Sequence, residues 1–288
     1  MPGLRIASLC PSNTEIVHCL GLSESLVGVD QYSDYPTDVV ARLPKLGPDL
    51  HIDIDRLVQL RPDLTLCSLS VPGMEAVVEQ VANAGLNHLV LSPNGFSDIW
   101  QDMWMVAQAA APHVNLPRAR QQIDNLRRRV ETIAEQTARM SHRPKLYWEW
   151  WPNPIVSPAG DNWLSELSVY AGAENIFAAE HGHQVQDDGR RVLAAEPDWV
   201  LAVWTGIPQH KVPVHKLLHR SGWDTIPAFR TGQVLILSEG LYCRPSPRLV
   251  DGLEQLTSIL HPALRHALAL RPPEHYAPIR YGSGAWRH

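Results

Sequence analysis

Three tryptophans stand almost side by side in the segment WEWWPNPIVSP, as Trp148, Trp150 and Trp151, in a chain that holds ten tryptophans against three phenylalanines. An indole offers a broad flat face with one polar edge, which suits a packed core and equally suits the face of a flat ligand. Trp204 with Thr205, and Tyr32 with Tyr35 on either side of Asp34, repeat that chemistry elsewhere. The run His181-Gly182-His183 offers neutral imidazoles of the kind that coordinate transition metals, although such a pair on a loop is ordinarily solvated. Catalytic chemistry has less footing. No GxSxG, P-loop, GxGxxG or HExxH occurs, and Ser12, Glu15 and His18 in the opening turn are spaced as ordinary cap and face residues of a helix. The four cysteines, Cys10, Cys19, Cys67 and Cys243, form no CxxC pair and read as structural thiols. The 14 histidines are dispersed, and the pairs His215/His219 and His261/His266 fall on surface helices.

Composition narrows the classes further. An apolar fraction of 44% and a charged fraction of 19% describe a globular chain, and 288 residues suffice for two ordinary domains. The net charge of −5 supplies no attraction for nucleic acid. No run of about 18 apolar residues is present to span a bilayer. The opening MPGLRIASLC shows no basic n-region, h-region or small-residue cleavage site. As written, the chain is expected to be cytoplasmic; a different start or a processed form would make it periplasmic or surface-held. A monomer is expected.

The elements that position these residues follow from periodicity. Leu4–Leu9 is a short apolar strand, followed by a helix capped at Asn13 or Thr14 and ended by Gly21. Strands at Leu26–Val29, Leu64–Cys67 and Leu89–Leu91 alternate with helices at Ile54–Leu60, capped by Asp53, and from Gly73 to Ala84. The second half repeats the plan. Strands at Leu146–Glu149, Asn175–Phe177, Trp199–Trp204 and Val234–Leu237 alternate with helices at Trp163–Tyr170, Arg190–Ala195, Val214–Ser221 and after Pro247. Such alternation indicates βαβ units and mostly parallel sheets. Between the halves, LPRARQQIDNLRRRVETIAEQTAR (Leu116–Arg139) places Leu116, Ile123, Leu126, Val130 and Ile133 at helical spacing on an otherwise polar helix. The expected class is therefore α/β, with two lobes, each a mostly parallel sheet flanked by helices, joined by one long helix. The divisions are an N-terminal lobe over 1–113, a connecting helix over 114–142 and a C-terminal lobe over 143–288.

Several stretches, in order, resemble one known family: SLCPSNTEIVHCLGLSESLVGVDQYSDYP (Ser8–Pro36), DIDRLVQLRPDL (Asp53–Leu64), VVEQVANAG (Val77–Gly85), AGAENIF (Ala171–Phe177), VLAAEPDWV (Val192–Val200) and SPRLV (Ser246–Val250). They are similar to the substrate-binding proteins of cobalamin ABC importers, in the helical-backbone class of periplasmic binding proteins. Other members of that class carry siderophores, haem or metals. The resemblance implies a ligand held in the crevice between the lobes at the strand ends, in keeping with open α/β sheets generally. It implies no catalysis and no required cofactor, with cobalamin or a related corrinoid as the bound ligand and an importer permease as partner.

Carried onto this sequence, the resemblance implies ligand contacts from Tyr32, Tyr35 and Ser68 in the first lobe. In the second it implies Trp150, Trp151, Ile155, Trp204, Thr205, Tyr242 and Arg244. A corrin is large, flat and fringed by amides, so its site needs aromatic faces and a few hydrogen-bonding groups. His183 is the candidate axial ligand to cobalt. The chain departs from the family at three aromatic positions, which hold Leu46, Ser68 and Gln184 here. Of the two docking acids the family presents to its permease, Asp55 matches the first, and Arg190 stands where the second is expected. Two alternatives stay open: a receptor of this fold for siderophore, haem or metal, and an enzyme of unidentified reaction built on Ser12, Glu15 and His18.

Overall fold

Strand-forming runs and glycine or proline stops place the elements of this computed structural model, which describes residues 3–281. The chain divides into two compact units: Met1–Arg128 with Pro245–Pro247, and Arg129–Arg244 with Arg248–His288.

In the first unit, β1 (Ile6–Ser8), β2 (Leu26–Val29), β3 (Leu64–Ser68) and β4 (His88–Leu91) form a four-stranded sheet in the order β2-β1-β3-β4, parallel throughout. Ile6, Ala7, Leu66 and Leu91 have no exposed surface, as expected for strands covered on both faces. The first helix, Pro11–Cys19, begins earlier than Asn13 or Thr14 would have it. Proline fits the first helical position, where its missing N–H costs nothing. Cys10 is therefore the N-cap residue, and both polar side chains are released for other partners. The Asn13 amide donates to the carbonyls of Leu66 and Cys67 at 3.2 and 3.0 Å, and the Thr14 hydroxyl donates to Ser8 Oγ at 2.8 Å. Asp53 caps Ile54–Gln59 as expected, accepting from the Arg56 N–H at 2.9 Å. A helix at Phe96–Ala109, absent from the sequence reading, also belongs to this unit.

The second unit holds a five-stranded sheet in the order β12-β11-β10-β5-β8. Its strands are β5 (Lys145–Glu149), β8 (Glu174–Asn175), β10 (Trp199–Ala202), β11 (Val234–Ile236) and β12 (Ile279–Tyr281). All pair in parallel except β12, which runs antiparallel to β11. A second sheet, not foreseen, is an antiparallel ribbon of β6 (Trp151–Pro152), β7 (Ile155–Pro158) and β9 (Gln184–Asp187). Helices Trp163–Tyr170 and Arg190–Ala195 match the sequence reading. The helix expected over Val214–Ser221 shrinks to His215–Leu218, held between Pro213 and Gly222. The long helix spans Leu116–Thr137, beginning in the first unit's residues and ending in the second's. Ala119, Ile123, Val130 and Ile133 form its buried stripe.

Candidate functional site

In the first unit, the turn after β2 presents Tyr32, 48% exposed. Asp30 shapes that turn from a fully buried position. Its Oδ2 accepts the backbone N–H groups of Tyr32 and Ser33 at 2.7 and 3.1 Å, and its Oδ1 accepts the Ser33 hydroxyl. Ser33 Oγ in turn lies 2.8 Å from Thr14 Oγ1, so a chain of hydroxyls links the turn to the first helix. Burial pushes the Asp30 carboxyl up to about 6, against the pull of its hydrogen bonds. Tyr35 is half-buried, its ring edge-on to the His18 imidazole at 5.3 Å. Ser68 is nearly enclosed and lies 2.8 Å from the Ser70 hydroxyl. Leu46, at a family aromatic position, has no exposed surface and packs with Ile52 and Leu57 in the core.

The residues imagined as catalytic go to separate partners. Ser12 Oγ lies 3.3 Å from Cys10 Sγ, Glu15 accepts the Ser246 hydroxyl, and His18 Nδ1 lies 2.9 Å from Ser23 Oγ.

In the second unit the aromatic cluster splits by depth. Trp148 is wholly buried, its indole N–H donating to Ser168 Oγ at 2.9 Å. Trp150 is 9% exposed, with the rings of Trp163 and His183 centred 5.6 and 5.9 Å away. Its Nε1 has no hydrogen-bond partner. Trp151 is 41% exposed, and its ring centre stands 6.4 Å from that of Trp204. Trp204 is itself nearly enclosed, with its N–H directed to Glu149 Oε1 at 3.2 Å. Thr205 is exposed.

Several residues for which the resemblance implies ligand contact are instead interior. Tyr242 has no exposed surface; its hydroxyl lies 3.0 Å from both the Gly252 carbonyl and Gln255 Oε1, and its ring packs on Trp148 at 5.5 Å. The reason is local: Tyr242 ends a short helix, Glu239–Tyr242, which lies so close to helix Leu249–Leu260 that a Cβ on Gly252 would meet the Leu241 carbonyl at 2.5 Å. Ile155 and Trp204 belong to the core cluster with Tyr147 and Trp223. Arg244, 5% exposed, has its Nε 3.5 Å from Glu239 Oε1.

His183 is likewise committed. Its Nδ1 lies 3.2 Å from the Asp161 carbonyl, which can only accept, so Nδ1 carries the proton; Nε2 then accepts from Asn162 Nδ2 at 3.2 Å. Burial lowers its tendency to protonate. The lone pair an axial cobalt ligand would use is occupied, and no cluster of three metal-binding side chains occurs among the described residues. Asp55 is exposed in the first turn of its helix. Arg190 is exposed and paired with Asp188 at 2.5 Å, so this corner carries an acid beside the base.

What the sequence reading missed is Glu149. At the end of β5, with no exposed surface, it accepts from the Tyr147 hydroxyl at 2.6 Å, from Trp204 Nε1, and from both terminal nitrogens of Arg220. Arg220 also donates to the Pro152 carbonyl at 3.2 Å and stacks over Trp223, 4.4 Å from its ring centre. A charged residue inside an apolar strand, WEW, was the available signal.

Residues 6–240 match the family described as periplasmic binding protein. The chain is 27% identical over 263 residues to an uncharacterized ABC transporter substrate-binding lipoprotein, YvrC, of Bacillus subtilis (strain 168), covering 90% of this chain and 80% of that one. It is 28% identical over 256 residues to the vitamin B12-binding protein of Yersinia pseudotuberculosis serotype O:3 (strain YPIII), covering 88% and 84%. Among solved structures, the periplasmic vitamin B12-binding protein BtuF of Vibrio cholerae superposes with a TM-score of 0.74 at 25% identity, covering 92% of this chain and 99% of that one. The periplasmic heme-binding protein RhuT of Roseiflexus sp. RS-1 shares the fold with a TM-score of 0.78 at 23% identity, covering 91% and 99%.

Proposed function

The chain belongs to the periplasmic binding protein family, and we propose that it is the substrate-binding protein of an ABC importer whose cargo is cobalamin or a related corrinoid. One observation carries the choice of cargo. The exposed candidate side chains, Tyr32, Trp151 and Thr205, are uncharged, and in the second unit Arg220, Arg244 and Arg190 are each paired with a carboxylate, Glu149, Glu239 and Asp188 respectively. Haem brings carboxylates and an anionic siderophore brings more, and both call for uncommitted cations. A corrin brings a flat apolar ring and neutral amides, which indole and phenol faces with a few hydroxyls serve. Likeness to vitamin B12-binding relatives supports the same choice. A haem receptor is the second reading, favoured by the exposed Tyr32 phenol, since a tyrosinate can ligate haem iron.

In this reading Tyr32 supplies the ligand-facing surface of the first unit, backed by Tyr35 and Ser68; in the second unit Trp151 supplies it, backed by Trp150, and Trp204, Ile155, Tyr242 and Arg244 act by holding the backbone that presents it. The protein is a carrier and not a catalyst. It works as a monomer beyond the cytoplasmic membrane and meets its permease through Asp55 and the Asp188–Arg190 corner. Among the described residues no helix is long and apolar enough to cross a membrane. Fractionation of cells expressing the native gene tests the location, and recovery in the cytoplasm refutes it. Calorimetry with cyanocobalamin, cobinamide and hemin tests the cargo. Saturable one-to-one heat with a corrinoid and quenching of tryptophan emission are expected; hemin binding with no corrinoid signal at tens of micromolar protein would transfer the assignment to haem.

A further inference from the structure

The antiparallel ribbon sorts its side chains into two faces. Register places Val156 of β7 opposite Trp151 on one side and Gln186 on the other, and Pro158 opposite Gln184. Residues directly opposite one another in a sheet, and those two apart along a strand, share a face. Trp151, Val156, Gln186, Pro158 and Gln184 therefore form one surface. The alternate rows, Ile155 with Asp187 and Ser157 with Val185, form the other. Ile155, Ser157 and Val185 are buried, and the Asp187 side chain is 3% exposed. On the first surface, Trp151, Gln184 and Gln186 are all exposed. The ribbon thus turns outward an indole face and two carboxamides, with no formal charge, and keeps its one carboxylate inside.

The geometry points to Gln184 and Gln186 as specificity-determining residues that read the neutral amide fringe of the ligand whose ring lies against Trp151. The inference rests on the corrinoid reading above and sharpens it. A carboxamide both donates and accepts, so it pairs with a primary amide in either orientation, whereas a carboxylate would satisfy only its N–H side. Trp151 is the one aromatic side chain of the three ribbon strands and supplies the flat contact. Because the two glutamines are exposed and sit on β9, at an edge of its sheet, their replacement leaves the fold intact.

The test is titration of cyanocobalamin and of cobinamide into the wild-type protein, Gln184→Ala, Gln186→Ala, the double variant and Gln186→Glu, with a thermal melt of each. Each single alanine is expected to weaken corrinoid binding about fivefold, the worth of one neutral hydrogen bond, and the double variant more than tenfold, with melting unchanged. Gln186→Glu is expected to weaken it at least as much as the alanine. A double variant that binds within twofold of a corrinoid-binding wild type overturns the role of the glutamines and leaves the corrinoid reading in place. A wild type that binds neither corrinoid overturns both.

Discussion

The carboxylate of Glu149 takes both terminal nitrogens of Arg220, a residue 71 positions further along the chain. The acid has no exposed surface, and the Arg220 side chain is only 15% exposed. Burial pushes the Glu149 carboxyl up, and Arg220 chiefly, then Tyr147 and Trp204, hold it back. The same guanidinium reaches the Pro152 carbonyl. The strand end that carries Trp150 and Trp151 is thus tied to Trp204 and to the segment around Trp223 through one pair of charges.

Breaking that pair from one side should be severe. Arg220→Met leaves a buried carboxylate without its partner and should cost about 3–5 kcal/mol of folding stability, whereas replacing both partners should recover most of the loss. Urea unfolding of Arg220→Met and of Glu149→Gln/Arg220→Met measures both. A single variant within about 1 kcal/mol of wild type would show that the pair is incidental.

Asp30 makes ligand binding sensitive to acid. Its ionised form holds the Tyr32 turn through three acceptor contacts, and its titration near 6 falls within reach of ordinary buffers. Lys45, whose Nζ donates to the Ser33 carbonyl at 2.6 Å, and the acids Asp34 and Asp49 face the same region. Corrinoid affinity should fall as pH drops from 7 to 5. Asp30→Asn should bind weakly at every pH and show no such slope; a variant that retains the wild-type slope would assign the effect elsewhere.

Asp102 should tilt stability with pH in a predictable sense. It lies buried in helix Phe96–Ala109 with Oδ2 lacking a hydrogen-bond partner, and burial, helped by the charge of Asp98, pushes it up to about 7. The folded state then keeps a proton that the unfolded chain releases near 3.8. Between those values the folded form binds more protons, so stability from this group is full below pH 4 and is lost as pH rises toward 7. Asp102→Asn should flatten that part of the profile and be the more stable protein at pH 8, by about 1 kcal/mol or more. Parallel slopes for the two proteins in denaturation between pH 4 and 8 would sink this account.

With both imidazole nitrogens engaged, His183 should stay off the cobalt. His183→Ala is expected to leave the visible spectrum of bound cyanocobalamin and aquocobalamin unchanged. A shift of the absorption bands on substitution would restore the axial-ligand role.

Much of this architecture was legible because its signals are local. Strand Leu26–Val29 and helix Trp163–Tyr170 fall where apolar period and stop residues put them, and Asp53 caps its helix as its type and place suggest. The candidate site was less legible because depth is decided by distant chain. Tyr242 follows a strand and looks like a loop residue, yet Gly252 admits its helix into the interior. Ribbon strands of two to four residues, interrupted by Pro152, Pro154 and Pro158, show no period of their own. Their facing pattern exists only in the register between strands. Glu149 showed as an acid between two tryptophans, but nothing near it announced Arg220.

Strand β12 has a consequence for how the protein must be handled. Val234, Leu235 and Ile236 of β11 are almost completely buried, and among the described residues their outer flank is closed by the three-residue strand Ile279–Tyr281, running antiparallel. Arg280 pins that strand with its guanidinium over Trp199, 5.3 Å from the ring centre. Without it, an apolar β-strand would present an open row of backbone donors and acceptors, the template on which other chains add. A version cut before Ile279 is therefore a candidate for self-association by strand addition along the uncovered edge of β11.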